Sequence, residues 1–176
     1  MGVLNLTPDS FSDAGRFEGV AAATARAEEL VREGADIVDV GGESTRPGAS
    51  PIEADEEIRR TVPAIREIAA RLPIPVSIDT RKASVAEAAA EAGASIVNDV
   101  TGLRHDPDLA RVAAEHASGL VLGHIRGTPA DMQRNPRYDD PVSEVYDELA
   151  RSVEKAIRAG VSEERIVVDP GIGFGK

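Results

Sequence analysis

The chain has no cysteine, which excludes a disulfide framework, a thiolate metal site and a cysteine nucleophile. Any metal must be bound through oxygen or imidazole, and magnesium is the leading one. It also lacks an apolar run near the roughly 18 residues that a membrane helix needs. Its first residues, with Asn5, Asp9 and Asp13 close behind, do not read as a signal peptide. A soluble, cytoplasmic protein with no membrane partner is expected. Basic residues are in deficit, with 20 Lys and Arg against 31 Asp and Glu and a formal charge of -11. Nucleic acid is therefore not expected as a partner, because phosphate contacts need clustered cations. A small anionic ligand stays open wherever local cations outweigh the global field.

At 176 residues and 41% hydrophobic, the chain suffices for one globular core, so residues 1–176 read as a single domain. Short apolar runs recur as Gly2-Val3-Leu4, Ile37-Val38-Asp39-Val40, Val76-Ser77-Ile78, Ser95-Ile96-Val97, Leu120-Val121-Leu122 and Ile166-Val167-Val168. Their length and β-branched content predict buried strands. Between them, segments 20–33, 53–71, 83–92, 107–117 and 141–159 carry Ala, Glu, Arg and Leu at helical spacing. Gly34, Gly93 and Gly160 each close a helical pattern just before a strand.

Strands alternating with helices imply a parallel sheet, either open and doubly wound or closed into a barrel. Each apolar run ends in a polar or glycine-rich cluster: Asn5, Gly41 to Thr45, Asp79-Thr80, Asn98-Asp99, His124 and Asp169-Pro170-Gly171. A barrel gathers all its carboxyl strand ends around one mouth, whereas an open sheet binds ligands only near its switch point. The pattern therefore favours an α/β (βα)8 TIM barrel. Units of about 30 residues extrapolate to the roughly 250 typical of eight, so the chain is expected to supply about six βα units, truncated at its C-terminus.

Several strand-end segments carry chemistry. The loop from Asn5 to Asp13, with Pro8 and Phe11, suits a segment covering a ligand, and equally a cap and turn. Gly41 to Gly48 offers backbone donors, two hydroxyls and a guanidinium suited to phosphate oxygens, or a solvated glycine turn. Asp79, Asn98 and Asp169 follow buried strands, where polar groups need partners; a ligand with several N–H donors is one, a helix cap another. His124 reads as a ligand, a base or a satisfied core group, with the structural role favoured. The segment Gly171 to Lys176 is one residue too short for the nucleotide-binding phosphate-loop spacing.

Taken together, Gly2-Val3-Leu4-Asn5-Leu6-Thr7-Pro8-Asp9-Ser10-Phe11-Ser12-Asp13, Asp39 to Gly48, Ser77-Ile78-Asp79-Thr80, Val97-Asn98-Asp99-Val100 and Asp169 to Lys176 closely resemble the dihydropteroate synthase family over essentially the whole chain. The resemblance implies a barrel that joins a dihydropterin diphosphate to 4-aminobenzoate in folate biosynthesis. It implies that Asn5 helps hold a magnesium ion at the diphosphate. Asp79, Asn98 and Asp169 would hold the pterin, with Thr45 and Arg46 near its diphosphate, and Phe11 and Pro47 would help form the 4-aminobenzoate pocket that sulfonamides imitate. Catalysis would fall to Asp79, stabilising a pterin methylene cation, and to Arg46, facing the departing diphosphate. His124-Ile125-Arg126 departs from the family's usual Met-His-Met-Gln.

The family's Ser-Arg-Lys segment and Arg-x-His pair do not occur in these residues, so the 176-residue chain alone is expected to be inactive, and the intact protein a homodimer. Two rival readings are a corrinoid-linked methyltetrahydrofolate methyltransferase, which lacks the first two loops, and a non-catalytic fragment of the synthase.

Overall fold

The computed structural model describes residues 1–7, 16–46, 48–116 and 118–176. Strands and helices alternate as β1 (Gly2–Asn5), α1 (Arg16–Arg32), β2 (Val38–Gly41), α2 (Ala54–Arg71), β3 (Val76–Asp79), α3 (Ala83–Glu91), β4 (Ile96–Asp99), α4 (Leu109–Glu115), β5 (Gly119–Gly123) and α5 (Pro141–Arg158). A short 3-10 turn at Glu163–Arg165 leads into β6 (Ile166–Asp169). All six strands are parallel and lie in sequence order, β1 through β6. The order never reverses, so there is no switch point of the doubly wound kind; the sheet curls as the six-strand arc of a (βα)8 barrel.

Alternation along each strand sorts the side chains. The outward set, Leu4, Val40, Ile78, Val97 and Leu120, follows one hydrogen-bonded row across the sheet. It packs into a core with Ala23 and Ala27 of α1, Ile65 and Ile68 of α2, Val85 and Ala89 of α3, and Leu109 and Val112 of α4. Burial of each large aliphatic contributes about 1.5–3 kcal/mol. The small alanines let the helices approach the sheet closely.

Local chemistry fixes the ends of these elements. Gly93, at φ +113, ends the α3 turn in the left-handed region, where a β-carbon would be strained. Asp140 caps α5 by accepting from Val142 N and Ser143 N, with Pro141 in the first turn. The first amide of α3, Ala83 N, is instead capped at 2.8 Å by Asp106 Oδ2 from the β4 loop. Asp99 accepts from Thr101 N, Thr101 Oγ1 and Leu103 N, which holds the left-handed Leu103 (φ 60) in place.

Candidate active site at the barrel mouth

A cavity of about 640 Å³ opens at the carboxyl ends of the strands. Asn5, Asp39, Asp79, Asn98 and Asp169 line it from the strands, and Ser44, Thr45 and Arg46 from the β2 loop. Five of the residues singled out from sequence and resemblance thus meet in one space with the metal candidate, Asn5. Phe11 and Pro47 lie outside the described residues.

The strand register explains how residues far apart in sequence meet. Asn98 is row partner of Asp79, and Asp79 of Gly41, yet Asn98 Nδ2 donates to Asp39 Oδ2 at 3.1 Å. Strands in a barrel tilt against its axis, so a layer perpendicular to the axis steps two residues along for every two strands crossed. The same step from β4 to β6 passes from the row partner Val167 to Asp169. Asp39, Asn98 and Asp169, all on even-numbered strands, therefore form one layer. Asn5 and Asp79 belong to the odd-numbered strands.

Gly41 separates Asn5 from Asp79 in their row. A β-carbon there would meet Asn5 Oδ1 at 3.5 Å and Asp79 Oδ2 at 3.6 Å, so two hard oxygens flank a position without a side chain. Burial, reinforced by Asp39, Glu57, Asp99 and Glu43, raises the Asp79 pKa well above the usual carboxylate range. A positive charge brought beside Asp79 would lower the cost of ionising it. Burial raises Asp39 as well, opposed in part by bonds from Ser77 and Asn98. Asp39 Oδ1 and Ser77 Oγ are buried with no partner at full hydrogen-bond geometry among the described residues, although Ser77 stands close enough to lower the Asp39 pKa, so a ligand carrying N–H donors would complete the bonding of Asp39.

Asp169 Oδ1 accepts from Gly171 N at 2.8 Å, which fixes the rotation of the carboxylate. On the cationic side, Arg46 is joined by Arg60, which lines the cavity from α2 and donates through Nη1 to Gly42 O at 3.1 Å. Neither Asp39 nor Arg60 stood out in the sequence. Asp39 sits inside an otherwise apolar run, a carboxylate where a strand should be buried, and that was the available signal. Arg60 follows Arg59 on a charged helix and carries no local mark.

His124, favoured for a structural role from the sequence, borders the cavity and is held from α5. It follows β5 on the outward side, and its ring Nε2 pairs with Glu148 Oε2 of α5 at 2.9 Å. Burial first, then Lys176 nearby, lowers its pKa. Lys176 Nζ donates to the carbonyls of His124, Gly171 and Phe174, so the glycine-rich segment after β6 is fastened to the β5 loop.

A parallel barrel arc with acids and amides ringing its mouth and arginines above them belongs to the class of α/β-barrel enzymes that bind small polar ligands. The family model for pterin binding enzymes matches residues 1–176, and the chain belongs to the pterin binding enzyme family. It is 49% identical over 176 residues to the dihydropteroate synthase of Bacillus subtilis, covering 100% of this chain and 59% of that protein. Among solved structures, it resembles the Xanthomonas albilineans dihydropteroate synthase with 4-aminobenzoic acid at a TM-score of 0.90 and 45% identity, covering 100% of this chain and 62% of that one. The same enzyme in complex with 7,8-dihydropteroate matches at a TM-score of 0.83 and 39% identity, over 100% and 61% of the two chains. The chain thus spans about three-fifths of the length of these relatives. No helix among the described residues is long and apolar enough to cross a membrane.

Proposed function

We propose that the complete protein is a dihydropteroate synthase. It would transfer the methylene of a (7,8-dihydropterin-6-yl)methyl diphosphate to the amine of 4-aminobenzoate. The C–O bond to diphosphate breaks, the C–N bond forms, and the amine gives up a proton. The observation that carries this reading is the Asp39, Asn98 and Asp169 layer lying below a β2 loop that presents Thr45 and Arg46. Acceptors at depth suit the N–H edge of an aminopyrimidine, and hydroxyl with guanidinium suits a diphosphate. The relatives' bound 4-aminobenzoic acid and dihydropteroate support the same substrate pair.

Asp79 would stabilise the positive charge that develops at the pterin methylene. Arg46 would take up charge on the departing diphosphate. Among the described residues no cluster of three acidic or histidine side chains could cage a metal alone. Magnesium commonly takes one or two protein oxygens and completes its shell with phosphates and water. Asn5 would hold it, beside Asp79, and the ion would neutralise diphosphate charge.

The test supplies the complete protein with the pterin diphosphate and 4-aminobenzoate and follows dihydropteroate by mass. Product is expected with magnesium and none after chelation. Absence of product with magnesium present refutes the activity, and undiminished product after chelation refutes the metal.

A further inference from the structure

The β2 loop leaves the sheet at Gly42 and rejoins the fold at α2. Residues near its two ends meet: Ile52 N donates to Glu43 Oε2 at 3.0 Å, nine positions apart. The loop between them, which carries Ser44, Thr45 and Arg46, is thereby closed into a ring by one carboxylate. That carboxylate is held in turn. Lys82 Nζ lies 2.8 Å from Glu43 Oε2 and 2.5 Å from Glu57 Oε2, and Arg81 Nη2 lies 2.8 Å from Glu43 Oε1. Glu43 and Glu57 are 9% and 1% exposed, so these are interior ion pairs. Elsewhere on the loop, Gly48 N donates to Pro129 O at 3.1 Å.

Resting on the proposed synthase reading, we propose that Glu43, held by Lys82 and Arg81, is a positioning residue whose clasp on Ile52 sets the β2 loop so that Thr45 and Arg46 meet the diphosphate. Three separate elements converge on the clasp: the β2 loop through Glu43, α2 through Glu57, and the β3 loop through Arg81 and Lys82. The layer of Asp39, Asn98 and Asp169 stands on strands and hydrogen-bonds within itself and to Gly171 N, not to the clasp; of the strand residues at the mouth, Asp79 is the one that feels the Glu43 and Glu57 charges. Burial would push Glu43 towards its neutral form, yet the Lys82 and Ile52 bonds and the Arg81 charge outweigh it and hold the group below its ordinary pKa. The clasp therefore stays ionised at neutral pH. Loss of its charge loosens the loop's anion-facing side chains and leaves the pterin floor as it was.

The experiment compares affinities of the complete protein for 6-hydroxymethyl-7,8-dihydropterin and for its diphosphate ester with magnesium, by calorimetry. Two variants are used. Glu43→Gln weakens the clasp directly. Lys82→Met with Glu57→Leu removes a buried ion pair as a unit, a change that proteins often tolerate without loss of stability. The free pterin is expected to bind both variants within about twofold of wild type, while the ester loses about tenfold, the loss of roughly one well-placed charge-assisted contact. Ester affinity within twofold of wild type in the folded variants overturns the inference. So does a parallel loss for both ligands, or a failure of both variants to fold, since either would make the cluster a plain stability element. Failure of the wild-type protein to bind either ligand would instead overturn the synthase reading itself.

Discussion

Replacing Asn98 by aspartate changes one NH2 group for an oxygen with almost no change in volume, so its effect isolates electrostatics. In the native layer Asn98 Nδ2 gives Asp39 Oδ2 a bond of 3.1 Å, worth about 1.5–3 kcal/mol if Asp39 is ionised. The variant sets two carboxylates at that separation. With both ionised, repulsion at an effective dielectric near 20 is about 4 kcal/mol or more, so the pair shares a proton and titrates with a raised apparent pKa. Because the folded pKa then exceeds the unfolded value of about 4, the folded state holds a proton that the unfolded chain releases. Stability is retained below the unfolded pKa and lost as pH rises through the folded one. Urea unfolding at about pH 5 and about pH 8 is the assay. Asn98→Asp is expected to cost about 2–4 kcal/mol relative to wild type at the higher pH and clearly less at the lower. An equal cost at both, or none, would refute the placement of Asn98 and Asp39 in one layer.

Asp169→Asn is expected to weaken pterin binding by about 2 kcal/mol or more, since an acceptor held by Gly171 N becomes in part a donor facing donors; unchanged affinity by calorimetry removes Asp169 from the pocket. Asp79 has a folded pKa above its unfolded value, so it favours the folded state below the unfolded pKa and loses that contribution as pH rises through the folded pKa. Asp79→Asn should therefore melt higher than wild type at neutral pH while losing synthase turnover, and a lower melting temperature there contradicts the burial argument. Phe11→Leu is expected to change affinity for 4-aminobenzoate and sulfonamides more than for the pterin; equal effects would dissolve that division of labour.

Much of this was legible in the sequence because each βα unit advertises itself locally. The pattern over 53–71 matches Ala54–Arg71, and that over 141–159 matches Pro141–Arg158, since amphipathic spacing and caps are properties of a few neighbouring residues. The helix expected over 20–33 begins earlier, at Arg16, before its apolar stripe becomes regular. Asn98 and Asp169 were found because polar groups at the ends of apolar runs contrast with their surroundings. Asp39 was not, because its significance comes from barrel tilt, which pairs it with a residue 59 positions away. The clasp at Glu43 escaped for the same reason: Lys82 and Arg81 look like an ordinary solvated pair until closure of the arc sets them against two buried glutamates.

The division between odd and even strands has an evolutionary side. In the proposed reading Asp39, Asn98 and Asp169 on β2, β4 and β6 face the heterocycle, Asn5 on β1 serves the reacting end, and Asp79 on β3 serves both. Neighbouring strands point their inward residues into different layers, so a substitution on an even strand reshapes the floor without displacing the groups that manage charge above it. A descendant of this scaffold could drift toward a different ring system and keep its chemistry, or keep its ring and acquire a different leaving group, with each lineage altering one interleaved set of strands at a time.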